Sequence, residues 1–80
     1  MLANAGRTSD AITHFQEAVI IKPDYAEAYN DLGRLFATQG LMEKAIANFS
    51  AAVRVKPDFA EARQSLDLAL AIQRRKPKNP

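Results

Sequence analysis

Few side chains in this sequence have the type and spacing that catalysis or metal binding requires. The 80 residues include one histidine, His14, and no cysteine, which excludes thiolate zinc sites, cysteine nucleophiles and multi-histidine metal sites. Asp10 lies four residues before His14 and can pair with it on one helix face, but this pair lacks a nucleophile and makes no catalytic site. The sequence contains no glycine-rich phosphate loop either. We therefore expect no enzyme activity, no cofactor and no metal site in this chain.

The C-terminal residues form the second chemical candidate, a basic segment. It contains Arg74, Arg75, Lys76 and Lys78 without an acidic residue, although the net charge of the whole chain is only +2. Such a segment can contact nucleic acid or an anionic surface, or it can complement the negative end of a helix dipole. We favour the second interpretation, because no aromatic residue is interleaved to stack on bases. The expectation is a flexible basic tail over residues 75–80 and no nucleic-acid partner.

The distribution of apolar residues excludes a membrane-spanning segment. The longest uninterrupted apolar run covers five residues, 68–72, whereas a spanning helix needs about 20. The N-terminal residues lack the basic and apolar regions of a signal peptide. Apolar residues make up 48% of the chain and charged residues 25%, which is typical of soluble globular proteins. We expect a cytoplasmic protein without a membrane partner.

The sequence repeats itself with a period of 34 residues, and a repeat of this length is typical of stacked helical units. Apolar side chains recur at spacings of three and four residues, which predicts helices and no strands. The predicted segments are a stub over 2–5 and helices over about 9–21, 25–39, 42–55 and 59–74. The recurring positions include residues 18–19 with 52–53, residues 22–24 with 56–58, residues 26–28 with 60–62, Gly6 with Gly40, and Phe15 with Phe49.

Proline, aspartate and glycine mark where these helices should begin and end. Pro23 cannot continue a helix, and Asp24 precedes Glu27 by three residues, which predicts a capping box at the start of the next helix. Asp58 and Glu61 repeat this arrangement one period later. Gly40 predicts a helix stop in the left-handed conformation, and Gly6 predicts an equivalent stop after the N-terminal stub.

The central period resembles a tetratricopeptide repeat (TPR). The family pattern places large aromatic, Leu-Gly, alanine and proline residues at set offsets. Those places are held here by Tyr29, Leu32, Gly33, Phe36, Ala45, Phe49, Ala52 and Pro57. The resemblance implies an all-α fold, a right-handed α-α superhelix of antiparallel helix pairs in which small residues permit close helix approach. It covers residues 26–59 as a complete repeat, residues 1–25 as the end of a truncated repeat with its second helix over about 9–21, and residues 60–74 as a first helix only.

The two ends depart from the family pattern in opposite ways. Arg63 and Asp67 stand where the central repeat has Tyr29 and Gly33, and they are spaced to pair with each other. A polar outer face is what a terminal repeat needs, so residues 60–74 are expected to be a C-terminal capping helix, with Leu66 and Leu70 turned inward.

The N-terminal repeat keeps its apolar residues although its first helix is almost absent. Ile12, Phe15 and Val19 are therefore expected to form an uncovered flank. We interpret the chain as a C-terminal fragment of a longer TPR array, and a homodimer through this flank is one way to cover it.

The function implied by the resemblance is a protein–protein interaction scaffold that holds a peptide or partner protein in its concave groove. The groove candidates are Glu27, Asn30, Asp31, Arg34 and Thr38. The basic pair that some TPR domains use to grip a terminal carboxylate is missing, so that ligand is not expected. The alternative is a structural cap of a longer array, or an accessory domain of a larger protein such as a TPR-containing glycosyltransferase, without a ligand of its own.

Overall fold

A computed structural model describes residues 2–75 of the chain, with side chains from Arg7 onward. Its four helices are α1 (Leu2–Ile21), α2 (Ala26–Thr38), α3 (Met42–Val55) and α4 (Ala60–Arg75). No strand occurs within residues 2–75. Each helix packs against the next along the chain, and α2 also touches α4. The predicted all-α fold of helix pairs is confirmed, and α3 has the predicted bounds.

Helix α1 does not stop at Gly6. The predicted stub over 2–5 and the helix over about 9–21 form one continuous helix, Leu2–Ile21, so the predicted break is wrong. A glycine inside a helix is unfavourable by only about 0.5–1 kcal/mol, whereas a helix end leaves several backbone groups without an intrahelical partner. Gly6 stays helical because a glycine permits a helix to end but does not force it to do so.

Gly40 does end a helix, as predicted. Its φ of 79° lies in the left-handed region, which glycine adopts without a steric penalty. The backbone N–H of Gly40 donates to Ala37 at 2.9 Å, and that of Leu41 donates to Phe36 at 2.9 Å. These two bonds form a Schellman motif. They reverse the chain direction so that α3 can pack against α2.

The predicted capping boxes do not form, because the helices begin later than these boxes require. Tyr25 is the N-cap of α2 and makes no side-chain capping bond. Asp24 instead pairs with Lys22 at 3.5 Å. The N–H of Tyr25 donates to the carbonyl of Lys22 at 3.0 Å, which closes a four-residue turn with Pro23 at its second position, where proline is favoured.

The same turn precedes α4. The N–H of Phe59 donates to the carbonyl of Lys56 at 3.0 Å, and α4 begins at Ala60. Asp58 thus lies in the turn, and its predicted capping box with Glu61 is displaced in the same way as the first one.

The core lies where α2, α3 and α4 meet. Its buried residues are Leu32, Phe36, Ala45, Phe49 and Ala69. Gly33 permits the closest approach, since a Cβ added there would lie 2.5 Å from a ring carbon of Phe49. The ring of Phe49 therefore packs directly on the backbone of α2, and the predicted need for a small residue at Gly33 is confirmed.

Helix α4 differs in detail from the predicted cap. Leu66 packs partly buried against the core, as expected, but Leu70 is exposed, because among residues 2–75 no later helix covers that face. Arg63 Nη1 donates to the carbonyl of Pro57 at 3.3 Å and forms no ion pair with Asp67. Arg75 belongs to α4 rather than to a tail, and residues 76–80 of the predicted tail lie outside the described residues.

Candidate functional site

The two helices that begin successive periods, α2 and α4, border a concave hollow of about 290 Å³. We call it the α2–α4 hollow. Its lining is mostly apolar, with Arg34, Thr38 and Ser65 as the polar members. The apolar lining residues are Ala37, Met42, Phe49, Leu68, Ala69 and Ile72. Two of these, Leu68 and Ile72, are large apolar side chains on the protein surface, exposed to 63% and 46%.

A second hollow continues the first toward the C-terminal end of α4. It has a volume of about 390 Å³ and is lined by Gly40, Met42, Ile72, Gln73 and Arg75. Met42 and Ile72 line both hollows, and Leu68, Ile72 and Arg75 follow one face of α4 at spacings of four and three residues. The two hollows therefore lie along the same face of α4, and we call them together the α4 groove. The left-handed turn at Gly40 forms part of the lining of the second hollow, because it directs the chain from α2 into α3 beside the groove.

A third hollow of about 210 Å³ lies between α1 and α2, and we call it the α1–α2 hollow. Arg34 and Thr38 line it together with Ala11, Phe15, Asp31 and Leu35. These two residues also line the α2–α4 hollow. They therefore form the ridge that separates one hollow from the other.

Three predicted groove residues lie together on α2. Arg34, Asp31 and Thr38 line the α1–α2 hollow. Arg34 Nη1 lies 3.6 Å from Asp31 Oδ1, and both side chains are substantially exposed, so the pair contributes roughly 0–1 kcal/mol. The hydroxyl of Thr38 donates to the carbonyl of Arg34 at 2.9 Å, which is a local bond within the helix. The Arg34 guanidinium and the Thr38 side chain are thus accessible from either hollow.

The other two predicted groove residues are elsewhere. Glu27 Oε2 lies 3.9 Å from Lys56 Nζ, and Glu27 lines none of the three hollows. Asn30 is only 2% exposed, so its assignment to an open groove is wrong. It lies four residues after Ala26 and three before Gly33, both buried, and helical spacing places it on the same packed face. Its Oδ1 atom is buried without a hydrogen-bond partner.

The residues of the predicted flank of α1 are only partly covered. Ile12, Phe15 and Val19 are partly buried and pack against the core cluster. The large apolar side chains that α1 exposes are Ile20 and Ile21, at 76% and 83%. The spacing of Ile12, Phe15 and Val19 turns all three toward α2, whereas Ile20 and Ile21 lie beyond that stripe at the end of the helix.

Sequence analysis missed the apolar wall that Leu68 and Ile72 contribute. The sequence contains a signal for both residues, because they stand one period after Arg34 and Thr38, which are predicted groove residues. A comparison of the two periods position by position would have shown that α4 presents apolar side chains where α2 presents polar ones.

No group of three or more histidine, aspartate or glutamate side chains is placed within residues 2–75 to hold a metal ion. Over the same residues, no helix combines the length and apolar character that crossing a membrane requires. Lys44 Nζ lies 5.6 Å from the centre of the Phe36 ring, a cation–π distance, at the edge of the core.

Comparisons with known families agree with this architecture. A family model described as TPR repeat matches residues 1–40, and one described as tetratricopeptide repeat matches residues 26–59. A search of curated proteins returned no match.

Proposed function

Because the chain belongs to the tetratricopeptide repeat family, whose repeats are generally non-catalytic protein–protein interaction modules, we propose that it binds a peptide or partner protein through its concave groove. The observation that carries this proposal is the α2–α4 hollow. Leu68 and Ile72 are large apolar side chains exposed on its wall, and exposed apolar patches on soluble proteins mark interaction sites.

The shape of the site supports a peptide rather than a small molecule. Small-molecule sites enclose most of the ligand's surface, whereas the α2–α4 hollow is open to solvent, with Leu68 and Ile72 exposed on its wall. A peptide places single side chains in such a hollow and leaves its backbone outside. Groove-bound segments with regularly spaced apolar anchors are a common mode of recognition.

The test is a selection of binders from a random peptide library against the chain, followed by a variant pair. Ile72→Asp introduces a charge in the groove, and Ile20→Asp introduces the same charge on exposed α1 surface outside the three hollows. The proposal expects selected peptides to lose at least tenfold in affinity for Ile72→Asp and to bind Ile20→Asp normally. Selected peptides that tolerate both changes would contradict it.

The alternative, a structural cap of a longer array, is supported by Asp67. It stands one period after Gly33, where any Cβ would collide with the ring of Phe49. A further helix with an equivalent aromatic could not pack on α4 as α3 packs on α2. Charge reversal at Arg34 separates the two functions. If the groove binds a partner, the change should weaken capture of that partner. If this segment only closes the end of a longer array, the array should capture its partner as before.

A further inference from the structure

The chemistry of the α4 groove narrows the class of its ligand. Its largest apolar lining residues are Met42, Phe49, Leu68 and Ile72. Leu68 and Ile72 hold positions that on α2 are taken by Arg34 and Thr38. Burial of apolar surface contributes about 25 cal/mol per Å², so bulky apolar side chains of a ligand gain most in this groove. The apolar side chains of α4 thus favour a ligand that contains an apolar segment.

The charged side chains that line the groove all have one sign. Arg34 lines the α2–α4 hollow and Arg75 lines the continuing hollow, and none of the described lining residues of either hollow is acidic. Arg75 forms no ion pair with any group in residues 2–75. Arg34 pairs with Asp31 at 3.6 Å in an exposed arrangement that a ligand carboxylate can replace with little loss.

We propose that the groove binds a peptide segment in which adjacent bulky apolar residues are flanked by acidic residues, an assignment that rests on the function proposed above. The apolar side chains enter the α2–α4 hollow over Phe49 and Met42. The acidic residues lie beside Arg75, where arginine can form paired hydrogen bonds with a carboxylate. Charge complementarity of this kind sets register and specificity more than affinity.

A second copy of this chain does not fit the same description. The exposed apolar side chains that one copy could offer include Ile20 with Ile21 on α1 and Leu68 with Ile72 on α4. The α1 pair is followed by Lys22, so its insertion would bring a cation toward Arg75. The α4 pair shares its hollows with Arg34 and Arg75, so two α4 grooves facing each other would bring like charges together. The mismatch in charge disfavours self-association through this groove and points to a different chain as the occupant.

The experiment measures fluorescence anisotropy with three labelled, end-capped synthetic peptides of equal length. The first carries two leucines followed by two aspartates, the second has lysines in place of the aspartates, and the third has serines in place of the leucines. The proposal expects the first peptide to bind at least tenfold more tightly than either of the others. It also expects the advantage over the lysine peptide to shrink as salt is raised, since exposed charge pairs are screened.

Matched variants assign the binding to the groove. Arg75→Glu should weaken the aspartate peptide about threefold to tenfold and improve the lysine peptide. Arg54→Glu, at an exposed arginine in the last turn of α3, should change neither. Leu68→Ser should weaken the aspartate peptide about tenfold, and Ile20→Ser should not. Circular dichroism melting curves of all four variants check that the fold is retained.

The outcomes separate this proposal from the function on which it rests. Equal binding of the aspartate and lysine peptides, with loss of both in Leu68→Ser, would overturn the acidic assignment and leave a peptide-binding groove. Binding that responds equally to Arg75→Glu and Arg54→Glu would overturn it as well. If none of the three peptides binds while the library selection yields groove binders of other composition, the ligand class is wrong and the proposed function remains. If neither experiment yields a binder, both proposals fail.

Discussion

The α1–α2 hollow and the α2–α4 hollow are the same site one period apart, and they differ in chemistry. Each has a phenylalanine of the preceding second helix in its lining, Phe15 in one and Phe49 in the other. The other equivalent lining residues differ between the two hollows. The first hollow has Asp31, Arg34 and Thr38, and the second has Ser65, Leu68 and Ile72 at the same repeat positions. The repeat therefore preserves the phenylalanine that packs the helices together and varies the residues that line the hollows.

The two periods also differ in how deeply equivalent residues are buried. Phe49 and Ala45 of α3 are fully buried, whereas Phe15 and Ala11 at the same places in α1 are only partly buried. Helix α3 packs between α2 and α4, but α1 packs against α2 alone among the described helices. Burial in this fold thus depends on the number of neighbouring helices, because each period covers only one side of the next.

Truncation of the two equivalent phenylalanines should give the largest difference in stability between the two periods. Phe49→Ala should destabilise the fold by about 3–5 kcal/mol, because it leaves a cavity in the buried core. Phe15→Ala should cost less than half of that, because its side chain is already partly in contact with water. Urea denaturation followed by circular dichroism measures both. Equal losses would show that α1 and α3 are packed alike.

Gly33 and Asp67 offer a second contrast at equivalent positions. Gly33→Ala should destabilise by about 1–3 kcal/mol, since its Cβ would overlap the Phe49 ring. Asp67→Ala should change the free energy of unfolding by less than about 0.5 kcal/mol, because Asp67 is exposed. A Phe49→Leu background should relieve the clash at position 33, and a double-mutant cycle in urea measures that coupling. Additive effects would contradict the proposed contact.

A groove exchange should make the two hollows alike in ligand preference. The double variant Leu68→Arg with Ile72→Thr copies the α2 residues into α4 and removes two exposed apolar side chains. We expect about a tenfold loss of affinity for the aspartate peptide with a change in stability within about 0.5 kcal/mol. Anisotropy titrations and thermal melts measure the two quantities. Unchanged affinity at high salt, where the attraction of the added arginine is screened, would show that the apolar wall of α4 does not contact the peptide.

The smallest expected effect concerns the ion pair on the ridge between the hollows. Asp31→Asn removes the partner of Arg34 and should destabilise the fold by no more than about 1 kcal/mol, with the difference vanishing at high salt. The same change frees the guanidinium and should slightly strengthen binding of the aspartate peptide. Glu17→Gln, which removes a carboxylate from exposed α1 surface outside the three hollows, is the control and should affect neither quantity. A loss of peptide affinity in Asp31→Asn would contradict the proposed charge pattern.

Local sequence signals predicted the helices better than they predicted the helix ends. Gly40 was correctly identified as a stop, because its left-handed turn is followed by a helix that packs back. Gly6 looked identical in the repeat alignment but stays inside α1, since the stop depends on that packing and not on the glycine alone. The capping boxes failed for a related reason: the turn that contains Pro23 closes on Tyr25 and moves the helix start past Asp24.

The candidate site was predictable only in part. The resemblance to TPR proteins implied that Arg34 and Thr38 lie on the groove face of α2, and in the structure both line the α2–α4 hollow. The same reasoning included Asn30, which is buried, and omitted Leu68, which is exposed. A single helix pattern cannot tell which flank of a stripe a neighbouring helix covers, so exposure at the borders of a stripe had to come from the packed structure.

The period of 34 residues, its apolar spacing and its glycine and proline positions were sufficient to establish an all-α repeat fold. These features act locally or recur between adjacent helices, so they can be read along the chain. Which equivalent residues are buried, and which line a groove, depended on how many helices surround each one. Phe15 and Phe49 are both phenylalanines at the same repeat position. Only the packing of the helices makes the ring of Phe15 partly exposed and the ring of Phe49 buried.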